Sequence, residues 1–302
     1  MRRAFATGFW TLLFAMAAMR ADAAPIVLAT IKPVHSLVAA VMAGAGAPEL
    51  LIAGAQSEHS YALKPSDAEK IGRARIVLEI GPDLETYLTA PLATLAPRAD
   101  IVVLERVPGV RLLAARRGGL WEDGSDPADG PTDPHLWLDP ENAIAMTRAI
   151  AAALAKADPA HGRLYAANRD REIAALTALE RELATSLMPR HGRSYLVFHD
   201  AYHYFEKRFG LTPAGTVTVA PDRPIGPRRV ELLRAAILQG KIACVFREPQ
   251  FSPRLVETLV EGSRARIGVL DPLGAEIPPG PELYPGLLRG LAASLNSCLG
   301  KR

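Results

Sequence analysis

AHGRLYAANRDREIAALTALERELATSL, residues 160–187, is the stretch on which the fold turns. It holds no proline, its only glycine is Gly162 near the start, and Leu164, Ala167, Ile173, Leu176, Leu179 and Leu183 recur at helical spacing. About 28 residues at roughly 1.5 Å each make a rod of ~42 Å, ended by Pro189 and Gly192. A helix of that length can bridge two lobes.

On its N-terminal side, residues 26–30 are a continuous apolar run that leads through Lys32-Pro33 into a helical pattern at Leu37, Val38 and Val41. Residues 50–52, 76–80 and 101–104 read as further strands. A helix is predicted over 85–95, kinked at Pro91, and an alanine-rich one over 142–157, stopped by Asp158-Pro159. Strands alternating with helices argue for a parallel sheet covered on both faces. The C-terminal side repeats the style, with strands at 195–198, 242–246 and 266–270 and helices at 202–209, 230–239, 253–263 and 287–299. The expectation is an α/β fold of two similar lobes, with parallel-rich sheets flanked by helices, joined by one long linking helix. The lobes are expected over 24–158 and 189–302, with the linking helix over 159–188. Residues 111–133 break the pattern: Arg116, Arg117, Gly118, Gly119, Glu122, Asp123, Gly124, Asp126, Pro127 and Gly130 describe a polar, breaker-rich loop expected to be mobile.

The bulk numbers agree with two domains. The chain has 302 residues, 49% hydrophobic and 22% charged, the mixture of an ordinary globular protein. Residues 1–23 read as a secretory signal: Arg2 and Arg3 precede an apolar run over 9–18, and Ala21-Asp22-Ala23 supplies small residues for cleavage. Arg20 and Asp22 end that run well short of the ~20 apolar residues of a membrane anchor. No cysteine follows it, so the mature chain is expected free in a periplasm. Loss of the signal removes Arg2, Arg3, Arg20 and Asp22 and lowers the formal charge from +3 to +1. Nucleic acid is not an expected partner, because the 35 basic and 32 acidic residues are interspersed rather than gathered into a basic face. Cys244 and Cys298 are the only cysteines. In an oxidising compartment they suggest one structural disulfide, with two buried free thiols as the alternative.

Three of the seven histidines fall where open α/β sheets place ligands, at strand ends or in strand-to-helix loops. His59 follows the strand at 50–52, His135 follows the polar loop, and His199 closes the strand at 195–198. Imidazole nitrogen suits zinc, which takes four ligands tetrahedrally. Three histidines leave one place, for which Glu58, Asp271 or water are the candidates. No short signature such as H-E-x-x-H is present. Of the remaining histidines, His203 reads as a surface or capping residue, His161 and His191 as solvated flanks of the long helix, and His35 as a neighbour of the first strand-to-helix turn that would at most support a ligand. The acidic residues Glu122, Asp123, Asp126, Asp129 and Asp133 of the polar loop could attract cations through their field.

The stretches Ser57-Glu58-His59-Ser60-Tyr61-Ala62-Leu63-Lys64-Pro65-Ser66-Asp67, Pro134-His135-Leu136-Trp137-Leu138-Asp139-Pro140, Phe198-His199-Asp200-Ala201-Tyr202 and Leu270-Asp271-Pro272-Leu273-Gly274 closely resemble the zinc-specific solute-binding proteins of bacterial ABC importers, the ZnuA type. The resemblance covers the chain from Ile26 to its end. It implies two α/β lobes joined by a helix, a zinc ion between them as cargo, and His59, His135 and His199 as ligands with Glu58 able to complete the shell. Asp271 resembles an aspartate that ligates metal in some relatives and stands outside the shell in others. Manganese-binding relatives place a carboxylate where His199 stands, so zinc is favoured over a manganese or iron carrier. Cys244 and Cys298 resemble a disulfide found in some zinc-binding members. The implied partners are the importer's permease and ATPase, and the implied state is a monomer. This chain departs from many zinc members in having no histidine within 111–133. A periplasmic zinc hydrolase with Glu58 as general base is the rival from another class, but no nucleophile elbow, oxyanion loop or substrate motif accompanies the histidines. A continuous linking helix also implies small lobe motion, with loop ordering mattering more.

Overall fold

The computed structural model describes residues 24–121, 132–219, 221 and 224–300. The expected signal over 1–23 and the loop acids Glu122, Asp123, Asp126 and Asp129 lie outside the described residues. The elements of the first half are β1 (Val27–Ala29), α1 (Lys32–Met42), β2 (Glu49–Leu50), α2 (Pro65–Arg73), β3 (Ile76–Glu79), α3 (Thr89–Leu95), β4 (Asp100–Val103), β5 (Leu113–Ala114), β6 (Thr132–Asp133) and α4 (Pro140–Ala157). The long helix α5 (Gly162–Leu187) follows, and then β7 (Tyr195–Val197), α6 (His203–Arg208), β8 (Gly215–Thr216), α7 (Pro227–Leu238), β9 (Cys244–Arg247), α8 (Arg254–Val260), β10 (Arg266–Val269) and α9 (Leu283–Gly300).

Two four-stranded sheets form, ordered β2-β1-β3-β4 and β10-β9-β7-β8, and every pairing within them is parallel. Numbered within its own half, each sheet runs second, first, third, fourth, so the halves share one topology. The strands are short, and the central ones, β1, β3, β7 and most of β9, are buried on both faces as crossover helices require, while β4 and β10 keep partly open positions. In β7, Tyr195 and Val197 enter the main core, whereas Leu196 enters a smaller core on the far face with Leu233, Ile237, Val245, Val256 and Leu259.

The main core does not stop at the lobe boundary. It runs from the first sheet through α1, α4, α5 and α9 to Tyr195, Val197, Cys244 and Phe246 of the second sheet. On α5 the buried stripe is Tyr165, Asn168, Leu176, Leu179, Leu183 and Leu187. Polar contacts reinforce the junction: Lys32 Nζ donates to the carbonyls of Gly274, Ala275 and Ile277 at 2.5, 2.8 and 2.7 Å. Trp137 Nε1 donates to Pro272 O at 2.8 Å, and Tyr284 OH to Trp137 O at 2.7 Å. Cys244 and Cys298 form a disulfide with Cα atoms 6.2 Å apart, tying the end of α9 to the second sheet.

Several expectations need correction. The helix over 85–95 is a 3₁₀ turn, Thr86–Leu88, followed by α3. Pro91 sits in the first turn of α3, where its missing N–H costs least, and so begins a helix rather than kinking one. β8 was not foreseen, being two residues of a Gly-Thr pair. The loop 111–133 is not free of structure at its ends, since β5 pairs antiparallel with β6 and Leu120 bridges to Gly215 of the second sheet. His161 and His191 are not simply solvated: His161 Nδ1 lies 2.7 Å from Asp158 Oδ2, and His191 Nε2 2.8 Å from Phe209 O.

Candidate metal centre

Each site histidine is delivered by a sheet edge or its loop. His59 lies in the loop after β2, and α2 behind it is fixed by Asp67, whose Oδ2 accepts from Lys64 N at 2.9 Å and from Tyr61 OH at 2.7 Å. His135 follows β6 and opens the 3₁₀ turn Leu136–Leu138, which passes through the N-cap Asp139 into α4. His199 lies just beyond β7, beside Glu248 at the end of the neighbouring β9. That position, between the first and third strands of a 2-1-3-4 sheet, is where open α/β folds bind ligands.

The three rings converge, with centroids 5.1, 5.3 and 5.2 Å apart. His135 Nε2 is 3.1 Å from His59 Nε2 and 3.3 Å from His199 Nε2. Glu58 Oε1 stands 4.0 Å from His59 Nε2, and one ligand atom from each of Glu58, His59, His135 and His199 lies within 4.8 Å of the others. Zinc–nitrogen bonds of about 2.0–2.1 Å in a tetrahedron place nitrogens roughly 3.3 Å apart, and His135 Nε2 stands close to that spacing from each of the other two rings.

The opposite ring nitrogens decide how the spacing is read. His135 Nδ1 lies 2.8 Å from Asp133 Oδ1, and His199 Nδ1 2.8 Å from Glu248 Oε1. A carboxylate accepts, so each Nδ1 donates, and a neutral ring is left with a lone pair on Nε2. Two such lone pairs 3.3 Å apart cannot hydrogen-bond to each other. They repel unless a cation lies between them. Glu58 adds to the demand: it is 1% exposed and its Oε1 has no hydrogen-bond partner among the described residues.

A family model described as the periplasmic zinc-uptake complex component A, ZnuA, matches residues 27–298. The chain belongs to the ZnuA family. It is 43% identical over 306 aligned residues to the high-affinity zinc uptake system protein ZnuA of Brucella suis, covering 91% of this chain and 92% of that one. It is 34% identical to the protein of the same name from Yersinia pestis, covering 92% of each. Its fold superposes on the periplasmic zinc-binding protein TroA of Treponema pallidum with a TM-score of 0.79 at 22% identity, over 91% of this chain and 99% of that one.

Electrostatics in this ZnuA-family site follow from burial. Burial raises the Glu58 carboxyl above its ordinary value, against the pull of the His135 and His199 rings. Burial, and then the same two rings, hold His59 well below the usual imidazole range. Asp133 is buried, which alone would raise it, but its hydrogen bonds from His135 and the facing His203 ring 3.5 Å away outweigh burial and set it at about 2. It therefore stays a carboxylate and keeps the His135 proton on Nδ1.

Asp271 stands apart from the four clustered groups. Its Oδ1 accepts from Leu273 N, Gly274 N and Gln250 Nε2, and its Oδ2 from Ala275 N, so both oxygens organise their own loop. His35 is also elsewhere, with Nε2 3.2 Å from Pro48 O, and His203 Nδ1 faces Asp133 Oδ2 at 3.5 Å. Sequence reading missed Asp133 as a partner of His135 and missed Glu248 altogether. Asp133 had a signal, since a carboxylate two residues before a histidine can accept from its Nδ1 across one turn. Glu248, 49 residues from His199, becomes its neighbour only because β7 and β9 pair.

Proposed function

We propose that this chain captures zinc in the periplasm and delivers it to the permease and ATPase of an ABC importer, with His59, His135, His199 and Glu58 as the four ligands. One observation carries the reading: two imidazoles whose Nδ1 atoms are committed to carboxylates bring their Nε2 lone pairs together, with a third ring and a buried carboxylate near enough to complete a set of four donors. Three imidazoles suit zinc better than manganese, which prefers oxygen. Membership of a family named for periplasmic zinc uptake supports the destination and the compartment. ZnuA-family proteins are components of uptake systems rather than enzymes, and the ion is cargo.

The division into lobes over 24–158 and 189–302, joined by 159–188, belongs to the same proposal, as does action as a monomer. The shared sheet topology supports the former, and a cluster assembled wholly from one chain supports the latter. The test is crystallographic and competitive together. Crystals grown with zinc are expected to show one anomalous peak at the zinc edge, bonded to the three Nε2 atoms and Glu58. A chelator-competition titration is expected to rank zinc far above manganese. Equal binding of manganese, or a peak elsewhere, overturns the assignment.

A further inference from the structure

Residues 113–121 leave the first half of the molecule and fasten to the second. Leu120 pairs in parallel with Gly215 of β8, where any side chain larger than hydrogen would overlap the leucine. Leu120 O accepts from Thr216 N at 3.1 Å and from Arg229 Nη2 at 2.7 Å, so the strap covers the edge of the second sheet. Arg116 is its main fastening. Its Nε donates to both oxygens of Asp200 at 3.0 Å, and its Nη2 donates to Asp200 Oδ1 and to Glu206 Oε2, the latter at 2.7 Å. Trp121 lies under the guanidinium, 3.6 Å from it. Asp200 immediately follows His199.

The start of the strap is also tied to the metal cluster. β5 pairs with β6, and Tyr204 of α6 joins the two strands, accepting from Leu113 N at 2.9 Å and donating to Asp133 O at 2.8 Å. Asp133 in turn holds His135. The segments carrying His135 and His199 are thus tied to each other by non-covalent contacts that touch no metal-facing atom. Parting of those segments would break the convergence of the His135 and His199 rings.

Resting on the function proposed above, we propose that Arg116 is a positioning residue for zinc retention: by fastening the strap to Asp200 and Glu206 it sets the rate at which zinc is released. Arg116 makes two-pronged contact that lysine cannot reproduce, although lysine keeps the charge. Loosening a group that orients a metal-binding histidine commonly weakens binding by about 10- to 100-fold.

Zinc release from the full chain is followed by rapid mixing with excess chelator, for the wild type, Arg116→Ala, Arg116→Lys, Tyr204→Phe and Arg289→Ala. The last breaks an exposed ion pair between α9 and α5 and is expected to release zinc like the wild type. Arg116→Ala is expected to release zinc about tenfold faster with little change in association rate. Arg116→Lys is expected to regain the thermal stability of the zinc-free protein but not the slow release. If Arg116→Ala does not fold, Tyr204→Phe carries the test, with release expected several-fold faster. Wild-type release from Arg116→Ala, from Tyr204→Phe in its place, or from Arg116→Lys, overturns the inference. A wild-type chain that binds no zinc overturns the functional reading itself, which the other outcomes leave standing.

Discussion

Asp133 and Glu248 lie outside the four-residue cluster, yet by accepting from Nδ1 they determine which nitrogen of His135 and His199 turns toward it. Replacing either with alanine frees the ring to rotate or change tautomer, so zinc affinity is expected to fall about 10- to 100-fold for each, read by chelator competition. Among the described residues His59 has no such carboxylate on its Nδ1, and its side chain is 12% exposed against 4% for His199 and 2% for His135. It is the ring nearest water and the one least fixed before metal arrives. Acid should empty the site. Glu58, raised by burial, takes up a proton at a higher pH than a free glutamate, and zinc requires it ionised and the rings neutral. Affinity is expected to drop between about pH 7.5 and 5.5, the window around the imidazole range; a flat profile there would contradict the assignment. Position at strand ends or in the loops that follow made the three histidines candidates, the motifs of the ZnuA resemblance singled them out, and the structure gathers them with Glu58, which position alone did not separate from Asp271. Glu248 was not, because its role depends on strand pairing.

At the scale of elements, Glu85 shows how a turn can store a titratable group. It is fully buried beside β3, its Oε2 accepts from Ile80 N at 2.7 Å and Gly81 N at 3.2 Å, and burial lifts its carboxyl to about 8. A raised carboxyl stabilises the fold while protonated. Its contribution is complete below the unfolded value near 4.5 and is lost as pH rises toward 8. Glu85→Gln is therefore expected to remove part of the decline in urea-unfolding free energy between those limits, and an unchanged slope would reject this. The disulfide acts on α9 in a separate way. Closing a loop of 54 residues restricts the unfolded chain by about 4 kcal/mol in the chain-entropy model, a loss expected in Cys244→Ser/Cys298→Ser by urea unfolding. Most helices and strands could be read from the sequence, because α5 keeps helical spacing along its length and the buried strands are short continuous apolar runs. Short pieces could not: β5, β6 and β8 have two residues each, too few for any period, and exist because a partner strand or Tyr204 lies alongside.

For the whole molecule, one apolar core crossing both halves implies stiffness. Zinc binding is expected to leave the radius of gyration in solution scattering almost unchanged, while hydrogen exchange slows chiefly within residues 111–140; slowing spread evenly over both halves would mean wide closure instead. The long helix announced two halves, but periodicity could not reveal that α9 would cross back to the first. Its N-terminus is held there by Ser36, whose Oγ accepts from Tyr284 N and donates to Pro281 O. The consequence concerns birth order. Helix α1 is covered by α9, which lies some 248 residues later in the chain, so a growing polypeptide is expected to leave its N-terminal half incompletely packed until α9 has been made, which would keep a chain bound for export pliable enough to be threaded through a membrane pore.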